Sequence, residues 1–343
     1  KLWNSKELKN LPIFEPGLSD IVKNQRDQNL FFTTEIEESI SKADIIFISV
    51  NTPTKFRGIG SGLASDLSFL EEAVRIIAKF AKKHTVIVEK STVPVRTADL
   101  IKKILFSCCD NNLKTFSIVS NPEFLAEGTA INNLINPDRV LIGGEDDNSI
   151  DLVSGIYSRW VEQDKIIKTN LWSSELSKLT SNAFLAQRVS SINTISALCE
   201  KTGANIEEVA KAIGTDIRIG KNFLNPGPGF GGSCFKKDIL NLVYLCRYYN
   251  LDDAADYWEK VYSINKWQQE RISSLVIQKL LGNINNKKIT IFGFTFKANT
   301  NDIRESPAIQ ISKNLILEGA KLTFFDPKAN IEDIDYNLKK ILD

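Results

Sequence analysis

The chain has 343 residues, enough for two or three domains with ordinary cores, and a 25% charged, 43% hydrophobic composition that excludes disorder. Its 43 basic and 42 acidic residues nearly cancel, so no global field recruits nucleic acid or anionic membrane, and small-molecule partners are expected. One histidine, five cysteines without a CxxC pair, no apolar run of bilayer length and no signal-peptide core exclude Ser-His or Cys-His catalysis, a metal centre, a disulfide framework and a membrane span, and predict a reducing, cytoplasmic setting.

In the first half, three short β-branched runs, IIFISV, TVIVEK and FSIVS, alternate with helix-like segments. Each ends in a polar turn: NTPT at 51–54, STVP at 91–94 and NPEF at 121–124. The pattern predicts a parallel, doubly wound sheet in a Rossmann-like α/β domain over 1–170, with the three turns lining one crevice at the carboxyl ends of the strands. No GxGxxG precedes the later strand ITIFGF, so the first βαβ with its glycine fingerprint is expected to be missing. His84, before the second run, is expected at the surface of a strand entrance.

From Leu171 the stretch WSSELSKLTSNAFLAQRVSSINTISALCEKTG predicts a long helix stopped by Gly203, suited to joining domains or to dimerisation. Helices continue to about Leu281, broken by the loop LNPGPGFGGSCF, which defines a central helical domain over 171–285. The runs ITIFGF and KLTFFD then predict a second Rossmann-like α/β domain over 286–343, cut short at its C-terminal end. Methionine is absent altogether, which points to a biased source or to omitted segments.

The segment GFGGSCFKKD at 229–238 carries the most chemistry. Its glycines predict a backbone that approaches a ligand closely and exposes amide donors. They deliver Cys234 to a helix start, where Lys236 and Lys237 favour a thiolate nucleophile and Asp238 can relay protons. The plain alternative is a glycine turn with an incidental buried cysteine. Lys178 and Asn182, at i and i+4, form a cation and amide donor suited to an oxyanion, or else a solvated pair. Glu123 and Glu127 at a strand end could activate water or hold a ribose hydroxyl. Ser91 and Thr92 sit at a neighbouring strand end, where any turn would also use them. Phe296, Lys297 and Arg304 place cations where they could meet phosphate, or remain solvated.

Together with LPIFEPGL, FISVNTPTK, EKSTVPVR, SNPEFLAEGTA, NPDRVLIGG, WSSELSKL, NAFLAQR, GFGGSCF and the FK and RES of the final unit, these motifs resemble the UDP-glucose/GDP-mannose dehydrogenase family, most closely its animal-type members. The resemblance covers nearly the whole chain. It implies a four-electron, NAD-dependent oxidation of UDP-glucose to UDP-glucuronate through a thiohemiacetal and a thioester on Cys234. It also implies that Lys178 and Asn182 stabilise oxyanions, Asp238 assists proton transfer, Glu123 serves hydrolysis and Thr92 orients water. Cofactor contacts would come from Val50, Asn51, Thr52, Pro53, Thr54, Ser91, Val93, Glu127, Cys234, Lys237 and Arg304. The nucleotide sugar would contact Glu123, Phe124, Leu125, Ala126 and Glu127, Lys178 and Asn182, the loop Asn225, Pro226, Gly227, Pro228, Gly229, Phe230 and Gly231, and then Phe296 and Lys297. Arg218 would reach a neighbouring subunit's substrate, in a dimer through the long helix or a hexamer. Lys236 departs from the proline common before the KD pair. Three other readings stay open: a sister enzyme acting on GDP-mannose or a UDP-aminosugar, an inactive nucleotide-sugar-binding subunit, and a two-electron hydroxyacid dehydrogenase.

Overall fold

A computed structural model describes residues 2–8, 11–108 and 115–342. Cys109, one of the adjacent cysteine pair, lies outside the described residues. The chain divides into two compact units, Lys1–Thr180 and Ser181–Asp343. In chain order the first holds α1 (Leu18–Gln25), α2 (Ile36–Lys42), β1 (Ile45–Ile48), α3 (Ser68–Phe80), β2 (Thr85–Glu89), α4 (Thr97–Cys108), β3 (Phe116–Ser120), α5 (Ala130–Ile135), β4 (Val140–Gly144), α6 (Asp147–Tyr157) and β5 (Ile166–Thr169). Helix α7 (Leu171–Thr202) spans the division. The second unit continues with α8 (Ile206–Gly214), α9 (Ser233–Tyr248), α10 (Asp252–Lys279), β6 (Lys288–Phe292), α11 (Pro307–Leu317), β7 (Lys321–Phe325) and α12 (Ile331–Leu342).

The five strands of the first unit lie in the order β1-β2-β3-β4-β5. Every residue of β2 is buried, and the strand alternates between two cores: Ile87 packs with Ile48, Leu70, Val74 and Ile101, while Val86 and Val88 pack with Val119, Ile142 and Val153. This period of two is why an unbroken apolar run is needed: both faces of the sheet are covered by helices. Each such side chain contributes about 1.5–3 kcal/mol when fully buried. The expectation of a wholly parallel sheet needs one correction. Strands β1, β2 and β3 are mutually parallel, but β4 pairs with β3 antiparallel, and β5 then runs parallel to β4. Sheets with one reversed strand pair are common in doubly wound folds.

In the second unit, α9 and α10 pack around Phe230, Ile239, Val243, Ala255 and Val261 together with Ala183 and Ala186 of α7. Gly203 ends α7 at φ 78, with its amide bonded to the Cys199 carbonyl at 2.9 Å, as its place at the end of the periodic stretch predicts. Strands β6 and β7 are parallel in full register from Lys288↔Lys321 to Phe292↔Phe325. The expected strands are therefore present, with α12 following the second of them.

Candidate active site

In the first unit, the three polar turns follow the carboxyl ends of three parallel strands, and side-chain hydroxyls fasten two of them together. Ser91 Oγ donates to the Val50 carbonyl at 2.7 Å, and Thr52 Oγ1 donates to the Thr92 carbonyl at 2.8 Å. Val93 and Thr52 are each 3% exposed, Asn51 is exposed, and Thr54 forms a bridge to Ser65. The Pro53 carbonyl accepts from the Asp66 amide at 2.7 Å. A row of turn backbone and hydroxyls at the carboxyl end of a parallel sheet fits a dinucleotide. His84 is exposed at the entrance to β2, with Nδ1 2.8 Å from Thr115 Oγ1, as expected.

The turn after β3 is built around Glu123. Its Oε2 accepts from the Leu125 amide at 2.6 Å, and its Oε1 lies 3.2 Å from Lys178 Nζ of α7. The Lys178 side chain is 5% exposed and that of Glu123 30%. Lys178 is thus no solvated helix residue: its ammonium meets a carboxylate at the mouth of the turn and lies over the Phe124 ring at 5.3 Å. The Ala126 amide bonds to Asn133 Oδ1 at 3.1 Å. Glu127 is half-buried. Beyond it, Glu15 accepts from the amides of Gly128 and Ala130 at 2.8 and 2.6 Å, at the entrance to α5. Residue-type reasoning alone gave no sign of that tie.

In the second unit, Asn182 of α7 donates through Nδ2 to Asp238 Oδ2 at 2.5 Å, and both are buried, at 6% and 1% exposure. Asp238 lies one helical turn after Cys234 on α9, and Cys234 is exposed in that helix's first turn. A helix N-terminus favours negative charge, so this is a physically suitable place for a reacting sulfur. Lys237 Nζ approaches Asp238 Oδ1 at 3.7 Å, while Lys236 pairs with Glu305 at 2.7 Å.

The glycine loop also packs tightly against its own chain. A Cβ on Gly231 would stand 2.6 Å from the Glu305 carbonyl oxygen and 2.9 Å from Phe296 Cβ; one on Gly229, at φ 119, would stand 2.6 Å from Asn265 Oδ1. Several loop amides are likewise spent internally. Gly227 N donates to Asn193, Phe230 N to Asn265 and Gly232 N to the Arg304 carbonyl, each at 2.8–2.9 Å. Glycine is needed because only a residue without Cβ lets the loop pack this tightly. Asn225 and Pro228 are exposed and Pro226 is half-buried.

The cations expected to meet phosphate, Lys297 and Arg304, and Arg218, expected to reach a neighbouring subunit's substrate, all have partners within the chain. Arg304 forks onto Asp302, with Nη2 2.6 Å from Oδ2, and Arg218 forks in the same way onto Asp216 at 2.6 Å. Lys297 lies over the Phe296 ring at 5.6 Å. Arg188 of α7, unassigned by the sequence reading, donates to the carbonyls of Ile219, Gly220 and Asn222 and so fixes the segment after Arg218.

Three family profiles cover most of the chain. The NAD binding domain of the UDP-glucose/GDP-mannose dehydrogenase family matches residues 2–161, its central domain 172–267 and its UDP binding domain 290–342. UDP-glucose 6-dehydrogenase 3 of Oryza sativa subsp. japonica and UDP-glucose 6-dehydrogenase 1 of Glycine max are each 52% identical over 342 residues, covering 98% of this chain and 70% of the relative. A UDP-glucose dehydrogenase from the archaeon Pyrobaculum islandicum superimposes with a TM-score of 0.86 at 29% identity, over 96% of this chain and 74% of that one. With these matches and the pairing of motif residues in each unit, the chain belongs to the UDP-glucose/GDP-mannose dehydrogenase family.

Proposed function

We propose that the protein oxidises the C6 alcohol of UDP-glucose to the carboxylate of UDP-glucuronate through a thiohemiacetal and a thioester on Cys234. The relatives' substrate and the residues present both support this reading. The observation that carries it is the start of α9, where exposed Cys234 stands one turn before a buried Asp238 held by Asn182 at 2.5 Å. Bound NAD supplies the hydride acceptor in both oxidations. Overall, one alcohol, one water and two NAD⁺ give one carboxylate, two NADH and three protons.

In this reading Asp238 takes part in proton transfer, Lys178 and Asn182 stabilise oxyanions, and Cys234 adds to the aldehyde carbon through sulfur. Glu123 and Thr92 direct water to the thioester carbon, and the C–S bond breaks with return of the thiol. The turns 50–54 and 91–93, with Glu127, Lys237 and Arg304, hold the cofactor. Residues 123–127, the loop 225–231, Phe296 and Lys297 hold the nucleotide sugar. Arg304 is forked onto Asp302 through Nε and Nη2, and its remaining N–H groups are the donors this reading assigns to the cofactor. A three-domain division at 1–170, 171–285 and 286–343, a cytoplasmic location, and a dimer through α7 that can build a hexamer belong to the same reading.

Replacing Cys234 with serine in the full-length protein is expected to lower UDP-glucuronate formation by at least about a thousandfold while leaving nucleotide-sugar binding intact. Intact mass should show a covalent sugar adduct on the wild-type protein during turnover and none on Cys234→Ser. Undiminished acid formation by the variant would remove the thioester from the scheme.

A further inference from the structure

Lys90 stands between the strand β2 and the turn that carries Ser91 and Thr92, and no role follows for it from the reaction as described. It is largely buried. Its Nζ donates to Asn121 Oδ1 and to the Tyr157 hydroxyl, both at 3.0 Å, and the Tyr157 hydroxyl in turn donates to the same Asn121 oxygen at 2.6 Å. Asn121 is 0% exposed and fixed on its other sides: Nδ2 bonds to the Leu141 carbonyl at 2.8 Å and its backbone amide to the Glu89 carbonyl at 3.0 Å. Two residues on, the same turn presents Glu123. Lys90, Asn121, Glu123 and Tyr157 all border one cavity of about 60 Å³, which exceeds the roughly 10–15 Å³ that a single water requires.

We infer that Lys90 is a positioning residue for the hydrolytic step: through Asn121 it fixes the turn that aims Glu123, and its charge faces the water-sized cavity that Glu123 borders. This rests on the proposed thioester mechanism. A buried ammonium held by two oxygens orients its partners more firmly than a solvated one, and its field is weakly screened at that depth. The charged and titratable groups around it are Glu123 from the turn after β3, Asp138 and Arg139 from the segment before β4, Tyr157 from α6 and Lys178 from α7. Burial lowers the Lys90 pKa to about 8; the Glu123 carboxylate partly opposes this and the Lys178 charge adds to it. The ammonium is therefore present at neutral pH and is lost just above it.

The test follows the thioester directly. Full-length protein is mixed with UDP-glucose and NAD⁺, quenched at intervals, and the acyl adduct on Cys234 is measured by intact mass from pH 6.5 to 9.5. The wild type should show a break in the hydrolysis rate close to pH 8. Lys90→Arg, charged throughout, should lose that break while keeping the rate of the low-pH plateau within a few-fold. Lys90→Gln should also lose it and hydrolyse roughly tenfold more slowly or worse, with the adduct accumulating. Should the Gln variant fail to fold, the Arg variant decides. A break near pH 8 that survives in Lys90→Arg, or an unchanged rate and profile in Lys90→Gln, overturns the inference. Absence of any adduct in the wild type would instead refute the thioester scheme on which it rests.

Discussion

Glu89 closes β2 with a carboxyl that is 1% exposed and whose two oxygens are buried without a hydrogen-bond partner. Beside it lies Glu175 of α7, itself 2% exposed, which accepts from the amides of Arg96 and Ala98 at 2.6 and 2.8 Å where α4 begins. Two adjacent buried carboxyls do not both ionise. The oxygens of Glu175 already serve as acceptors, so the proton resides on Glu89, raised well above the usual carboxylate range by burial and then by the Glu175 charge. The folded protein thus keeps a proton that the unfolded chain, with a pKa of about 4.3, releases. Stability from this group is full below that value and falls as pH rises toward the folded pKa, by up to about 1.4 kcal/mol per pH unit. Glu89→Gln, neutral at every pH, should therefore unfold at higher urea concentration than the wild type at pH 8 and lose that advantage near pH 4. Equal midpoints at both pH values would show that Glu89 is not held as the acid. The sequence presents Glu89 only as the end of a strand and Glu175 as one position in a long helix; their meeting is tertiary.

At the scale of elements, β1, β2 and β3 were legible because each carries a run of Ile, Val or Phe whose members pack into the cores on both faces of the sheet. Strands β4 and β5 were not: VLIGG ends in two glycines, and IIKT ends in two polar residues with Ile167 and Lys168 exposed. The reversal at β4 has no local signal, since strand direction follows from the route of the connection rather than from side chains. The glycine loop was recognised, but whether its missing Cβ atoms face a ligand or the Glu305 backbone is decided by an element about 70 residues away in sequence. Helix α7 leaves Phe184 56% and Leu198 58% exposed, and two heptads separate them, so they fall near one face. This face is where the proposed dimer through α7 would place its contact. If the dimer proposed through α7 forms, Leu198→Glu is expected to reduce the mass found by light scattering toward that of one chain, with the helical circular dichroism signal retained. An unchanged oligomer mass in this variant would place the contact elsewhere.

For the whole molecule, the chemistry was more legible than the contacts. Cys234, Asp238, Asn182, Lys178 and Glu123 were all singled out by type and spacing, and the structure brings Lys178 to Glu123 in one unit and Asn182 to Asp238 in the other. What residue type could not supply was the pairing that holds these residues in place: Glu15, Lys90, Asn121 and Arg188 lie inside the quoted motifs but show no partner there, and Tyr157 lies in none of them. The central claim is a four-electron oxidation by one protein, and the most direct measurement is the NADH formed per UDP-glucose consumed by the full-length protein. Two NADH per sugar, with UDP-glucuronate as the product, is the result predicted; one NADH per sugar, with aldehyde released, would contradict it.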